Sequence, residues 1–203
     1  MPEETGAAAL PSVKDLASSE LADTVTIMNG KDHSLAEVSE TGNQVWLDTW
    51  TNAFWETLCR EWASIDQWRM NKVLLLVRFF IREQFRLALE WTIMEGSRSE
   101  DQVTRQIQIF EAWPLSPRER KVPDGLRLHV LDVWVEELAG QLGEFQAAMD
   151  DLEHVDTEND KKALTNTAKK FMEPVQKVSR EALSKGVKTR AKEAVKLADE
   201  RLS

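Results

Sequence analysis

A single cysteine, Cys59, leaves no possibility of an internal disulfide or of a zinc site built on cysteines, which fits a reducing compartment and suggests no redox chemistry. Glycine and proline are scarce, 8 and 6 in 203 residues. No stretch alternates apolar and polar residues long enough to read as a strand, so a β-rich fold is excluded. Long apolar runs are missing too. The longest charge-free one, Val73 to Val77, is followed by Arg78, Arg82 and Arg86 at four-residue spacing, whereas a membrane helix needs about 20 apolar residues. The opening MPEETGAAALP is acidic where a secretory signal is basic, which predicts a soluble chain that is not exported by that route. The three histidines, His33, His129 and His154, are far apart and make no HExxH or paired ExxH pattern. A phosphate-cradling glycine loop, a GxSxG element and a Cys/His pair are absent as well. These absences predict a chain that is not an enzyme and takes no cofactor, metal or small-molecule substrate.

What the chain does have is tryptophan, with five of its eight residues between Trp46 and Trp68. Trp46, Trp50, Phe54, Leu58 and Trp62 recur every four positions, which predicts a helix over 44–63 carrying an aromatic stripe. Ser64 and Gln67 have capping-box spacing and predict a second helix over 65–95, apolar nearly all round from Val73 to Leu89. This pair is the expected core. Phe54, Leu58 and Trp62 are expected against the second helix and against Leu131, Trp134 and Leu138. With a thin layer before residue 44, Trp46 and Trp50 are expected to stay partly exposed.

Residues 1–12 read as unstructured, 13–29 as a helix stopped by Asn29-Gly30, and 30–43 as a linker or weak turn. Ser99 and Gln102 predict a helix to Trp113, ended by Pro114, and Ser116 before Pro117 predicts a short helical turn. From Asp124 the segment GLRLHVLDVWVEELAGQL reads as a third buried helix. Asp150 to Asp160 is the expected hinge, followed by helices over 159–172, from Pro174 and from Val187. The expected fold is all-α, an antiparallel helical repeat scaffold of HEAT-like or α-solenoid-like type. Its parts are an acidic N-terminal segment (1–43), a helical core (44–150) and basic C-terminal helices packed on the core (151–203).

Net charge is −9, unevenly spread. Residues 160–203 hold twelve basic against six acidic side chains, +6, which leaves 14 basic against 29 acidic in the remainder, −15. In the last helix Val187, Ala191, Ala194, Val195, Ala198 and Leu202 share a face, with Lys188, Lys192 and Lys196 in an adjoining row. Lys185, Lys188, Arg190, Lys192 and Lys196 are therefore the candidate surface for phosphates or an acidic partner, through contacts that carry little sequence information. Trp68, beside Arg69 and Lys72 one turn into its helix, is the one tryptophan placed to stack on an unpaired base. The other tryptophans, at helical spacing, read as core. His129, Asp132 and Glu136 share a helix face, but a satisfied core histidine explains them without a metal. Glu56, Glu61 and Asp66 could in principle serve an RNA-acting hydrolase, yet no pocket or nucleophile accompanies them and salt bridges and caps account for them.

Three blocks carry a resemblance: FWETLCREWASIDQWRMNKVLLLVRFF (54–80), PLSPRERKVPDGLRLHVLDVWVEEL (114–138) and EPVQKVSREALSKGVKTRAKEAVKLADERL (173–202). In this order they resemble the signature blocks of the ribosomal RNA-processing protein 1 family, the nucleolar Nop52-type proteins, over roughly 45–202. The resemblance implies a non-catalytic α-helical scaffold of the nucleus and nucleolus. It would join precursors of the large ribosomal subunit, contact assembly factors and the pre-rRNA phosphate backbone, and be needed for pre-rRNA processing. It also implies a reduced N-terminal layer, since residues 1–44 match the family pattern only weakly. A general helical interaction module unrelated to ribosomes is the alternative.

Overall fold

The computed structural model describes residues 19–36, 45–94, 98–150 and 157–202, and among them every regular element is helical. We number the helices α1 (Thr24–Ala36), α2 (Val45–Glu61), α3 (Gln67–Ile93), α4 (Arg98–Ala112), α5 (Asp124–Asp150), α6 (Thr157–Glu181) and α7 (Lys185–Arg201). A 3₁₀ turn, Trp62–Ser64, follows α2. The all-α expectation is met.

The residues that meet between helices give their directions. His129 bonds the Leu74 carbonyl at 2.8 Å and Arg78 pairs with Glu136 and Glu137, so α3 and α5 run parallel. Arg190 pairs with Asp132 at 3.0 Å, and Val187 and Arg127 line one cleft, so α7 runs parallel to α5 on its other side. In the same way Asp48–Arg105 and Asn52–Trp113 set α2 beside α4, while Glu100–Lys170 and Glu111–Lys177 set α4 beside α6. Two layers result: α2, α4 and α6 point one way, and α3, α5 and α7 the other. Consequently the turns after α2, α4 and α6 all lie at one end of the stack.

Aromatic rings join the layers. Phe54 stacks on Phe80 (3.6 Å between centroids), and Phe85 and Phe110 each meet Trp134 edge-on at 4.8 Å, with Phe171 of α6 closing the cluster at 5.2 Å from Phe85. Phe80, Phe85, Phe110, Trp134 and Phe171 are buried.

The expected stripe on α2 is corrected by one residue. The buried positions are Leu47, Thr51, Trp55, Leu58 and Cys59, whereas Trp46 is 49% exposed and Trp50, Phe54 and Trp62 are half-buried. Spacing of four overshoots a 3.6-residue turn by about 40° per step, so such a stripe winds around the helix and cannot face one core. Trp55, outside that stripe, meets Phe80 and Phe110. Trp62 instead lies over the start of α5, where a methyl group on Gly125 would sit 3.2 Å from the ring nitrogen. Trp134 is reached through Phe110 and Phe85 rather than directly from Phe54.

Other boundaries move for local reasons. Asn29-Gly30 does not end the first helix; α1 continues to Ala36, and the buried Asp32 carboxylate accepts the N–H groups of Trp46 (3.0 Å) and Leu47 (2.9 Å), capping α2 from outside. That tertiary bond stabilises a helix which Gly30 would otherwise weaken. Residues 1–18 and 37–44 lie outside the described residues, and with them the expected unstructured segment 1–12, the first part of the helix expected over 13–29 and the second half of the linker expected over 30–43. Asp66, not Ser64, caps α3 by accepting from Trp68 and Arg69, while Ser64 turns back to the Glu61 carbonyl. Helix α4 begins at Arg98, one residue before the expected cap Ser99.

Residues 116–123 form no helix, only a single turn at 120–121 closed by the Val122 N–H on the Glu119 carbonyl at 3.4 Å. The buried Arg127 guanidinium donates instead to the carbonyls of Ser116 (2.9 Å), Glu119 and Val122, and those bonds hold the chain in an irregular loop. Helix α6 runs unbroken through Pro174, where two helices were expected. Proline removes the bond to the Lys170 carbonyl, and tertiary packing carries the helix past it: Phe171, Val175 and Val178 are all buried, and Trp134 Nε1 donates to the adjacent Phe171 carbonyl at 3.2 Å. Of the expected hinge, residues 151–156 lie outside the described residues, and 157–160 belong to α6.

Cys59 is buried, and burial pushes its thiol up to about 11. At pH 8 about one thiol in a thousand is then ionised, so a thiol reagent should label the native chain far more slowly than the chain in denaturant. Equal labelling rates would place Cys59 at the surface.

Candidate nucleic-acid and partner interface

Trp68, Arg69, Lys72, Lys185 and Lys188 lie at or near the end that carries the three turns, while Lys192 and Lys196 continue the row along α7. Trp68 sits on the first turn of α3 and is 81% exposed, with Lys72 exposed one turn on. Arg69 is held by Asp66 at 2.6 Å, and its backbone N–H, above all, keeps the Asp66 carboxyl below the usual carboxylate range. The indole is thus presented on a capped, ordered helix start.

On the other side of α5, helix α7 docks through Val187, Ala191, Ala194, Ala198 and the following Leu202, all buried as the spacing predicted, with Val195 half-buried. Lys185, Lys192 and Lys196 are exposed and Lys188 is half-buried. Among the described residues these four make no ion pair. Arg190 differs: it is tied to Asp132 at 3.0 Å and to Glu193 at 3.5 Å, so it anchors α7 to α5. Neighbouring helix axes lie about 8–10 Å apart, so α3 and α7, with α5 between them, stand roughly 20 Å apart.

Between these two groups the structure inserts a third that the sequence reading passed over. The loop after α4 carries Arg118, Arg120 and Lys121, all exposed. RERK between two prolines was the available signal: four charged residues where a helix could not continue.

The remaining titratable candidates are engaged elsewhere. His129 is half-buried and bonded to the Leu74 carbonyl; burial lowers its pKa from the ordinary 6.5, outweighing the raising effect of that bond. The stability tied to its neutral ring is therefore complete above that value and declines as pH falls below it. Asp132 faces Arg190 and Glu136 faces Arg78, so neither converges on His129 as a metal ligand. Glu61 pairs with Arg60 at 2.9 Å and Asp66 caps α3, while Glu56 is exposed. The arginines at 78, 82 and 86 proved structural. Arg78 and Arg82 both bind the buried Glu137 carboxylate, and Arg86 links Glu83, Glu90 and Thr26 of α1. No described helix is long and apolar enough to cross a membrane.

These features define an all-α helical scaffold that presents basic groups and one exposed indole along a single end. The family model for the nucleolar protein Nop52 matches residues 11–203, and the chain belongs to that family. The match takes in α1, ahead of the blocks that carried the resemblance.

Named relatives agree. Over 85 residues the chain is 35% identical to ribosomal RNA processing protein 1 homolog B of Mus musculus, covering 42% of this chain and 11% of the relative. The corresponding protein of Homo sapiens is 28% identical over 103 residues (51% and 13%), and human homolog A is 29% identical over 104 residues (51% and 21%). The aligned part spans between about a tenth and a fifth of these relatives' length.

Proposed function

We propose that the chain is a non-catalytic helical scaffold of the nucleolus that acts in pre-rRNA processing and in assembly of the large-subunit precursor. It does so by holding assembly factors and the phosphate backbone of pre-rRNA. Membership of the Nop52 family carries this reading, and the relatives named as ribosomal RNA processing proteins support it. The exposed lysines of α7 supply the matching chemistry, since lysines without acidic partners attract phosphates at the least desolvation cost. The repeat-like character expected of the fold has its support in the two-layer stacking of successive helical hairpins.

Tagged chain should sediment with ribosomal precursors after gentle lysis. Reversing Lys188, Lys192 and Lys196 to Glu should leave the melting temperature within a few degrees, because the docking face is untouched. If RNA is the partner, each lost phosphate contact lowers the slope of log affinity against log salt by roughly 0.7 to 0.9, without altering which sequences are preferred. A folded triple variant with unchanged salt sensitivity would make the row a solvated face and direct the search to Trp68, Arg69 and Lys72. Absence from the precursor fractions would favour a general interaction module.

A further inference from the structure

The loop after α4 and the turn between α6 and α7 enclose a cleft of about 350 Å³, large enough for one bulky side chain. Its walls include Pro117, Val122, Pro123 and Val187, and Leu183, 69% exposed, stands at its lip. An exposed leucine beside a hollow lined by both apolar and charged residues is a poor arrangement for water and a good one for a partner segment that carries both kinds of group. Around the opening stand Arg118 and Arg120. Arg118 has only a loose contact with Glu181 (3.7 Å), and Arg120 and Lys121 make no ion pair among the described residues. Of the acids in the cleft, Asp124 faces Arg127 at 3.1 Å, and Glu119 turns back to accept the Lys121 backbone N–H at 2.9 Å, which leaves Arg118, Arg120 and Lys121 to outnumber it at the opening.

The cleft is built in advance. Arg127 holds three loop carbonyls from below, and the Leu183 N–H bonds the Pro117 carbonyl at 3.4 Å, so the two walls are tied together before anything binds. A preformed site loses little conformational entropy on binding.

We propose that this cleft docks an acidic linear segment of a partner protein, with one bulky apolar side chain in the hollow and flanking carboxylates against Arg118, Arg120 and Lys121. RNA suits the cleft less well. None of its lining residues is aromatic, so an unpaired base would find no ring to stack on, and phosphates held by the arginines would leave the apolar part at Pro117, Pro123 and Leu183 unfilled. The proposal stands apart from the α7 lysine row, and each can fail alone.

The test is fluorescence anisotropy on the full chain with a labelled peptide carrying one central leucine between glutamates. Saturable binding is expected, weakened about tenfold or more when the peptide leucine becomes serine, and by a similar factor in the Arg118→Glu/Arg120→Glu variant. Lys192→Glu/Lys196→Glu, farther along α7, should bind the peptide nearly as well as the parent. Should the arginine variant melt early, Leu183→Ser and the serine peptide on the parent chain still decide the matter. Failure to saturate, indifference to the peptide leucine, or displacement of the peptide by an oligouridylate would each overturn the proposal, the last in favour of a nucleic-acid site.

Discussion

Trp134→Ala should unfold the chain at ordinary temperatures or lower its melting temperature by roughly 10 °C or more. The ring is fully buried, meets Phe85 and Phe110 edge-on, and donates its N–H to the Phe171 carbonyl three residues before Pro174. Truncating such a ring typically costs about 3–5 kcal/mol, out of a total stability of about 5–15 kcal/mol. Each kcal/mol shifts a domain of this size by about 2–4 °C. The loss is compounded because α4, α5 and α6 all meet at this ring and the proline-bearing stretch of α6 loses a donor. Trp68→Ala provides the contrast. An 81% exposed ring in a capped first turn should leave the melt nearly unchanged. Thermal melts of the two variants beside the parent measure the difference, and a Trp134→Ala melt matching that of Trp68→Ala would show α5 to be peripheral.

Replacing Arg127 with Met should cost about 3 kcal/mol and free the loop after α4. Its guanidinium is the donor for the Ser116, Glu119 and Val122 carbonyls, and hydrogen bonds from a charged group are worth about 1.5–3 kcal/mol each before the remaining groups relax toward water. Lysine should not rescue the variant, because an ammonium is a point donor and cannot reach three carbonyls in a planar fork. Limited proteolysis between Pro117 and Pro123, with a melt, reads both effects. A loop equally resistant in Arg127→Met would mean that its prolines and backbone turns suffice. Because Arg127 forms the floor of the proposed peptide cleft, the same variant should also weaken binding of the leucine peptide.

Much of the scaffold was legible in the residues because helical periodicity is a local property. The docking face of α7 followed from spacing alone, and so did the buried character of α3 and α5. Errors clustered where a distant partner decides. Gly30 reads as a stop signal, yet α1 passes through it with Asp32 bound to the start of α2. Pro174 reads as a helix start, yet Trp134, 37 positions away from Phe171, donates to α6 beside it. The winding of a four-residue spacing was a local error, since the drift per turn was available from helix geometry.

Of the candidate surface, the composition marked both ends of the basic edge but not its middle. Arg118, Arg120 and Lys121 are separated from Lys185 by α5 and α6 in sequence, and nothing local signals that the loop after α4 and the turn after α6 will meet. By itself the sequence determined the all-helical class, the family, an acidic body with a basic end, and which face of α7 turns inward. Only the tertiary structure decided that α3, α5 and α7 run parallel and so bring three turns and their basic groups to one end. Hydrophobic spacing specifies which face of a helix is buried. Which helix covers it, and in which direction, depends on contacts such as Arg78 with Glu137, 59 positions apart, that no local pattern contains.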